Sequence, residues 1–150
     1  MTEVCVNAIV AIGARGEVGN NGLIPWANTP ELAECMKRDL GWFAHMTSDS
    51  VLVVGYRTYQ EMLAMGFQNK ERRVHVWPGK DRSPLGPGRF LEELHKANPG
   101  KNIWICGGGK TFDAFAFFID RWHISRIPYT GPADVFFDQQ WLIGRTSNGA

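Results

Sequence analysis

The stretch Ile103-Trp104-Ile105-Cys106-Gly107-Gly108-Gly109-Lys110 has the composition of a buried strand that ends in three glycines and then enters a helix. Glycines at such a junction let a ligand approach the backbone, and the helix N-terminus offers free N–H groups and a positive dipole end to a phosphate. The pattern favours a nucleotide cofactor. A plain tight turn explains it about as well, and the Gly-x-Gly-x-x-Gly spacing of the dinucleotide fingerprint is missing.

A similar junction lies at Val53-Val54-Gly55-Tyr56-Arg57-Thr58-Tyr59, where a strand ends in glycine and a helix opens with a cation and a threonine. Two helix starts of this kind in one small sheet indicate a pyrophosphate or dinucleotide held between them. The alternative is that Arg57 and Thr58 only cap the helix, which is the commoner role at any single turn.

Apolar runs alternate with helical patterns along almost the whole chain, as is typical of a parallel sheet covered on both faces. We therefore expect one α/β domain over residues 1–150, with a mainly parallel twisted sheet and helices on both faces. The expected strands are 4–14, 51–55, 73–77, 102–106 and 121–127, and the expected helices are 30–46, 58–65, 89–97 and 110–118.

The composition sets further bounds on structure and function. With 150 residues, 44% hydrophobic and 21% charged, the chain has the balance of a compact domain that needs no disulfide or metal to fold. A net charge of +1 without a basic block argues against a nucleic-acid partner. No apolar run approaches the roughly 18 residues of a membrane span, and three widely spaced cysteines indicate free thiols, so we expect a cytoplasmic protein.

An acidic side chain interrupts the apolar side of the first long helix. Thr29, Pro30 and Glu31 form a helix start, with a hydroxyl cap, a proline and an acid. An apolar stripe follows at three- and four-residue spacing: Leu32, Cys35, Met36, Leu40, Phe43 and Met46. Asp39 lies inside this stripe, where lost hydration would raise its pKa toward the value that a general acid needs. On periodicity alone, the position of Asp39 is also explained without a catalytic role, if Asp39 caps a neighbouring backbone group or lies at the edge of the stripe.

Two irregular segments follow strands. Residues 78–88 are rich in turn formers and predict an exposed loop. Residues 15–26 are long for a strand-to-helix connection, which suggests a functional loop.

Together these pieces resemble dihydrofolate reductase, in order from about Val4 to Phe137. Four segments carry the resemblance: Ile9-Val10-Ala11-Ile12 through Val18-Gly19 to Leu23-Ile24-Pro25-Trp26; Asp39-Leu40-Gly41-Trp42-Phe43; Gly55-Tyr56-Arg57-Thr58-Tyr59; and Ile105-Cys106-Gly107-Gly108-Gly109. The family implies reduction of 7,8-dihydrofolate to tetrahydrofolate by NADPH, with hydride transfer to C6 and protonation at N5.

The resemblance also implies site residues. The catalytic group would be Asp39, supported by the Ser125 hydroxyl, with Trp26. The substrate would meet Ile9, Val10, Ile24, Leu40, Phe43, Met62, Arg72 and Cys106. The cofactor would meet Ala11, Val18, Gly19, Leu23, Gly55, Arg57, Thr58, Lys80, Arg82, Gly107, Gly108, Gly109, Lys110 and Thr111. Gly107 and Gly108 resemble a pair joined by a cis peptide, and Asp134 resembles the partner that latches the mobile loop 17–26. No metal is implied.

The chain departs from the family pattern at several positions. Extra residues before Asp39 make Glu31 and Glu34 rival acids, although only Asp39 keeps the spacing to Gly55. Tyr56 stands where a basic residue is common, and Phe112 replaces a tyrosine. The arginine for the folate glutamate falls at Arg72 or its neighbour Arg73, of which we choose Arg72.

The C-terminal end of the resemblance is shortened, so the final β-hairpin of the family cannot be complete. We expect Trp141-Leu142-Ile143 to form one further strand with an uncovered edge, and a homodimer through that edge and Trp141. The alternative is that the helix carrying Asp39 or the loop after Trp77 folds over the gap.

Three functions remain open at this point. The first is dihydrofolate reduction. The second is a related pteridine or pyrimidine reductase, against which Asp39, Phe43 and Trp26 together argue. The third is a catalytically idle pterin- or nucleotide-binding structural protein.

Overall fold

The computed structural model describes residues 5–143. Its strands are β1 (Val6–Ile12), β2 (Glu17–Gly19), β3 (Val51–Gly55), β4 (Arg73–Trp77), β5 (Ile103–Ile105), β6 (Arg121–Arg126) and β7 (Val135–Phe136). Its helices are α1 (Ala33–Met46), α2 (Tyr56–Ala64), α3 (Pro87–Ala97) and α4 (Gly109–Phe115), with short 3-10 turns at Pro30–Leu32 and Ala116–Phe118.

Five strands form one parallel sheet in the order β4-β3-β5-β1-β6, and β2 pairs with β7 in a small antiparallel sheet. Alternate side chains of the large sheet point to opposite faces and enter apolar clusters on both. Val51 and Val53 pack on the side of α3 and α4, whereas Leu52 packs on the side of α1. This period of two buries both faces of the sheet. The expected α/β class, with helices on both faces, is therefore confirmed.

Two helix starts differ from the sequence prediction. The Thr29 hydroxyl makes no capping hydrogen bond, and α1 begins at Ala33 after the 3-10 turn. The predicted hydroxyl cap is wrong because the proline-led segment first forms this tighter turn. Helix α2 begins at Tyr56 with Gly55 as the capping residue, so neither Arg57 nor Thr58 caps it.

The C-terminal part also differs. Residues 139–143 are helical, so the expected strand at Trp141-Leu142-Ile143 is wrong. Trp141 is only 4% exposed and stacks on Trp122 with 5.9 Å between ring centroids. Its indole N–H donates to the Asp113 carboxylate. Aromatic burial against the sheet outweighs extension of the edge, and Trp141 is not free to contact a second chain. A dimer through the edge strand β6 stays a prediction, and any hairpin beyond residue 143 lies outside the described residues.

Candidate active site

The two glycine junctions meet at the carboxyl edge of the sheet. The Gly55 N–H donates to the Gly107 carbonyl at 2.7 Å. A Cβ added to Gly55 would lie 2.8 Å from the Thr111 hydroxyl oxygen, and one added to Gly108 would lie 3.0 Å from the Thr58 hydroxyl oxygen. The starts of α2 and α4 are thus neighbours, and side chains at these glycines would fill the space between them. The Gly107–Gly108 peptide is cis, as the resemblance implied.

Asp39 lies on α1, half-buried, beside Ser125 of β6. Burial raises the pKa of the Asp39 carboxyl, and the Ser125 hydroxyl, which donates a hydrogen bond to it, partly opposes this shift. The Oδ1 atom of Asp39 is buried and has no hydrogen-bond partner among residues 5–143. Glu31 and Glu34 are exposed, so Asp39 is the acid of this segment that folding removes in part from water.

Apolar side chains lie on the same side of the sheet as Asp39. Phe43 packs edge-on against Phe67, with 6.1 Å between ring centroids, and both belong to the cluster around Ile9, Leu52 and Trp104. Leu40 is 38% exposed, so the sheet covers only part of the predicted stripe. Met62 of α2 is half-buried.

Val10 faces the opposite way from these residues. Its side chain packs in the core beneath α3 and α4, because alternate residues of β1 point to opposite faces of the sheet. The prediction that Val10 lines the substrate site is therefore wrong for its side chain.

The adjacent residues Arg72 and Arg73 have different partners in the folded chain. Arg72 donates from Nε to the Thr47 hydroxyl at 3.0 Å and from Nη2 to the Ala44 carbonyl at 2.6 Å. Its guanidinium lies 5.6 Å from the centroid of the Phe67 ring. Arg73 instead donates to Asn98, on another side of the sheet. Only Arg72 lies beside the apolar wall of the site.

The environment of Cys106 does not favour a reactive thiolate. Burial raises the pKa of this thiol far above its ordinary value, although the Arg72 charge lowers it slightly. Its Sγ contacts the Trp104 carbonyl at 3.5 Å. The thiolate that a nucleophilic cysteine needs is therefore disfavoured.

The loop between β1 and α1 is held at several points. Asp134 accepts a hydrogen bond from the Asn21 N–H at 2.9 Å, and its own N–H donates to the Gly19 carbonyl at 2.9 Å. At the end of the loop, Trp26 is 2% exposed and packs on Tyr129 with 5.8 Å between ring centroids. Asp134 thus contacts the loop as the resemblance implied, and Trp26 anchors its far end.

Sequence reasoning missed two carboxylates near this loop. Glu17 is fully buried and accepts hydrogen bonds from the N–H groups of Arg15 at 2.7 Å and Gly131 at 3.2 Å. Burial acts to raise its pKa, but these bonds, the N–H of Glu17 itself and the Arg15 charge outweigh burial and lower it. A Cβ at Gly13 would lie 2.7 Å from Oε1 of Glu17, so a side chain there would displace this buried carboxylate.

The second missed carboxylate is Glu61 of α2, which accepts a hydrogen bond from the Ile24 N–H. Glu61 is half-buried, and burial raises its pKa while the bond from Ile24 opposes the shift. No local pattern distinguishes Glu61 from an ordinary solvated glutamate of an amphipathic helix. Its partner is visible only in the folded chain.

The remaining predicted cofactor residues fall into two groups. Arg57, Lys80, Arg82 and Lys110 are exposed cations, and Leu23 is an exposed loop residue. Buried or half-buried positions are taken by Ala11, Val18, Gly19, Gly109 and Thr111. A Cβ at Gly109 would lie 2.8 Å from Val135, so the backbone passes β7 too closely for a side chain.

Residues 5–143 contain no cluster of His, Cys, Asp and Glu side chains that could hold a metal ion. Within the same range, no helix is long and apolar enough to cross a membrane.

The site thus combines touching glycine turns at the carboxyl edge of a parallel sheet with a half-buried carboxylate on one face. A sequence model of the dihydrofolate reductase family matches residues 5–145, and the chain belongs to this family. The resemblance expected from the sequence is confirmed, and reductases of this family use a nicotinamide cofactor.

Three curated relatives show how the similarity is distributed. Dihydromethanopterin reductase of Methylorubrum extorquens is 36% identical over 140 residues, which cover 93% of this chain and 94% of that protein. Dihydrofolate reductase type 9 of Escherichia coli is 24% identical, over 89% of this chain and 76% of that protein. Dihydrofolate reductase of Mycoplasma genitalium is 24% identical, over 86% and 80%.

Proposed function

We propose that the protein reduces a 7,8-dihydropterin to the tetrahydropterin, with NADPH as hydride donor. The observation that carries the proposal is Asp39, a half-buried carboxylate with a raised pKa, an unpartnered oxygen and the Ser125 hydroxyl beside it. Such a group can bind the 2-amino and N3 edge of a pterin and promote protonation at N5.

The apolar wall supplies the rest of the pterin site in this proposal. Phe43, Leu40 and Ile24 would contact the flat faces of the ring, and Trp26 would keep the loop end in place. Exclusion of water by these side chains strengthens the interaction of Asp39 with the substrate.

The glycine junctions fit a dinucleotide. At Gly55 and Gly108 the starts of α2 and α4 lie so close together that a Cβ on either glycine would fill the space between them. A pyrophosphate bound between two helix N-termini needs this space to be free of side chains. When bound, NADPH supplies the hydride. Arg57, with Lys80 or Arg82, would hold its 2′-phosphate.

Of the two candidate substrates, we propose that the protein prefers dihydromethanopterin to dihydrofolate. The dihydromethanopterin reductase relative is 36% identical over nearly all of both chains, whereas the two dihydrofolate reductases are 24% identical. One observation favours dihydrofolate as the substrate. The Arg72 guanidinium lies beside the Phe67 ring, where it would bind the glutamate carboxylate of a folate.

The test is oxidation of NADPH, followed by its near-ultraviolet absorbance, with dihydromethanopterin or dihydrofolate as acceptor. We expect turnover with at least one, and a higher kcat/KM for dihydromethanopterin. The exposed Glu34→Gln serves as a matched control for Asp39→Asn and should keep wild-type rates. Binding of NADPH without turnover of either pterin would instead favour the idle binding protein.

A further inference from the structure

Two separate contacts fasten the loop between β1 and α1, and one of them has no counterpart in the expected site. The Asp134 carboxylate accepts a hydrogen bond from the Asn21 N–H. The carboxylate of Glu61, on α2, accepts a hydrogen bond from the Ile24 N–H. Because Ile24 precedes Pro25 and the buried Trp26, the second contact fixes the part of the loop next to the pterin site.

Helix α2 contacts the loop and the glycine turn with the same side. Arg57 and Thr58 precede Glu61 by four and three residues, which places all three on one face of a helix. A Cβ on Gly22 of the loop would lie 3.7 Å from Cδ of Arg57, and the Thr58 hydroxyl lies beside Gly108. One rigid helix thus touches both halves of the site.

Glu61 forms no ion pair within 4.0 Å among residues 5–143, although Arg57 lies on the same face of α2. The cations of the ion pairs in this range are Arg15, Arg89, Lys96 and Lys101. A hydrogen bond from a backbone N–H to a carboxylate is charge-assisted, and partial burial of Glu61 strengthens it further.

From these contacts we propose that Glu61 is a positioning residue, which holds Ile24 against the pterin site by accepting its backbone N–H. The contact lets α2 set the cofactor side through Arg57 and Thr58 and the substrate side through Ile24. The part concerning pterin rests on the proposed function, whereas the part concerning the loop does not.

The test compares Glu61→Ala, Glu61→Gln and the control Gln60→Ala, an exposed neighbour on the same helix. Hydrogen exchange of the Ile24 amide is measured without substrate or cofactor. We expect exchange to speed up about tenfold in Glu61→Ala, as loss of a hydrogen bond to a charged group implies. The Gln variant keeps an acceptor oxygen and should recover most of the protection. The Asn21 amide, held by Asp134, is the internal reference and should not change.

The kinetic arm uses the pterin that the wild type reduces. Glu61→Ala should raise KM for that pterin about tenfold, change kcat less, and leave the Kd of NADPH unchanged, with partial recovery in Glu61→Gln.

Unchanged Ile24 exchange in Glu61→Ala would overturn the proposal, as would faster exchange with an unaltered KM. Should the Ala variant fail to fold, Glu61→Met replaces it, since Met keeps the length of the side chain but has no oxygen acceptor: faster Ile24 exchange supports the contact, and unchanged exchange overturns it. Absence of turnover in the wild type would refute the proposed function alone, since the exchange measurement still decides the contact.

Discussion

Replacement of Asp39 by Asn should make the protein more stable and almost inactive. The Oδ1 atom is buried without a partner, and burial raises the pKa of the carboxyl. Asn keeps the shape of the side chain but carries no charge, and a buried charge costs more than a buried neutral polar group, by on the order of 1–3 kcal/mol. Because Asp39 is only half-buried and Ser125 donates to it, we expect the low end, a gain of about 1 kcal/mol and about 2–4 °C in Tm for a chain of this size.

The pH dependence of this gain follows from the direction of the pKa shift. A carboxyl with a raised pKa in the folded state binds its proton more tightly there than in the unfolded chain. The wild type therefore loses stability as pH rises from the unfolded pKa of about 3.9 through the folded pKa. The Asn variant does not titrate, so its advantage should be absent in strong acid and complete at neutral pH.

Activity should change in the opposite direction. A general acid contributes roughly 10²–10⁴-fold, so kcat of Asp39→Asn should fall by at least about a hundredfold at neutral pH. Above the pKa of Asp39, kcat of the wild type should decline about tenfold per pH unit, and the residual rate of the variant should lack this decline.

The assay pairs thermal unfolding, followed by circular dichroism, with NADPH oxidation across pH 5–9, using Glu31→Gln and Glu34→Gln as matched exposed controls. Loss of both stability and activity in Asp39→Asn would assign the carboxylate a structural role. Wild-type rates in Asp39→Asn, or loss only in one of the control variants, would show that another acid donates the proton.

Three further predictions concern the cofactor, the loop and the C-terminal helix. NADPH should be preferred over NADH, and Arg57→Ala should reduce the preference about tenfold, since a charge-assisted contact contributes roughly 1.5–3 kcal/mol; equal kcat/KM for the two cofactors in the wild type would contradict this. Glu17→Gln should cost about 2 kcal/mol at neutral pH, because the amide cannot accept from both Arg15 and Gly131. The lowered pKa of Glu17 means that its stabilisation is present above the unfolded pKa and lost as pH falls below about 4, so the two unfolding curves should converge in acid. Trp141→Ala should cost about 3–5 kcal/mol by emptying the space beside Trp122, and an unchanged Tm would refute the buried placement.

Much of the fold was predictable because its signals are local. The alternation of apolar runs with helical spacing predicts the parallel sheet, since both faces of each strand are buried. The two glycine junctions follow from composition alone. Asp39 stands out because an acid interrupts a stripe of apolar residues, although this spacing could not show how much of the stripe the sheet covers at Leu40.

Contacts between distant positions were not predictable in the same way. The carboxylate of Glu61 and the N–H of Ile24 are 37 residues apart, and those of Glu17 and Gly131 are 114 residues apart. Trp141 was expected in a strand because its neighbours Leu142 and Ile143 are apolar. The aromatic rings that bury it come from other segments of the chain.

The sequence by itself determined the α/β class, the glycine turns and the membership in a family, because periodicity, turn chemistry and motif order are properties of neighbouring residues. The tertiary structure decided which acid is partly buried, which arginine lies beside Phe67 and where Trp141 packs. Those outcomes depend on desolvation and on partners that folding alone brings within hydrogen-bond distance. Arg72 and Arg73 are adjacent and chemically identical, and only the direction of each side chain in the folded chain separates the one that bonds Thr47 from the one that bonds Asn98.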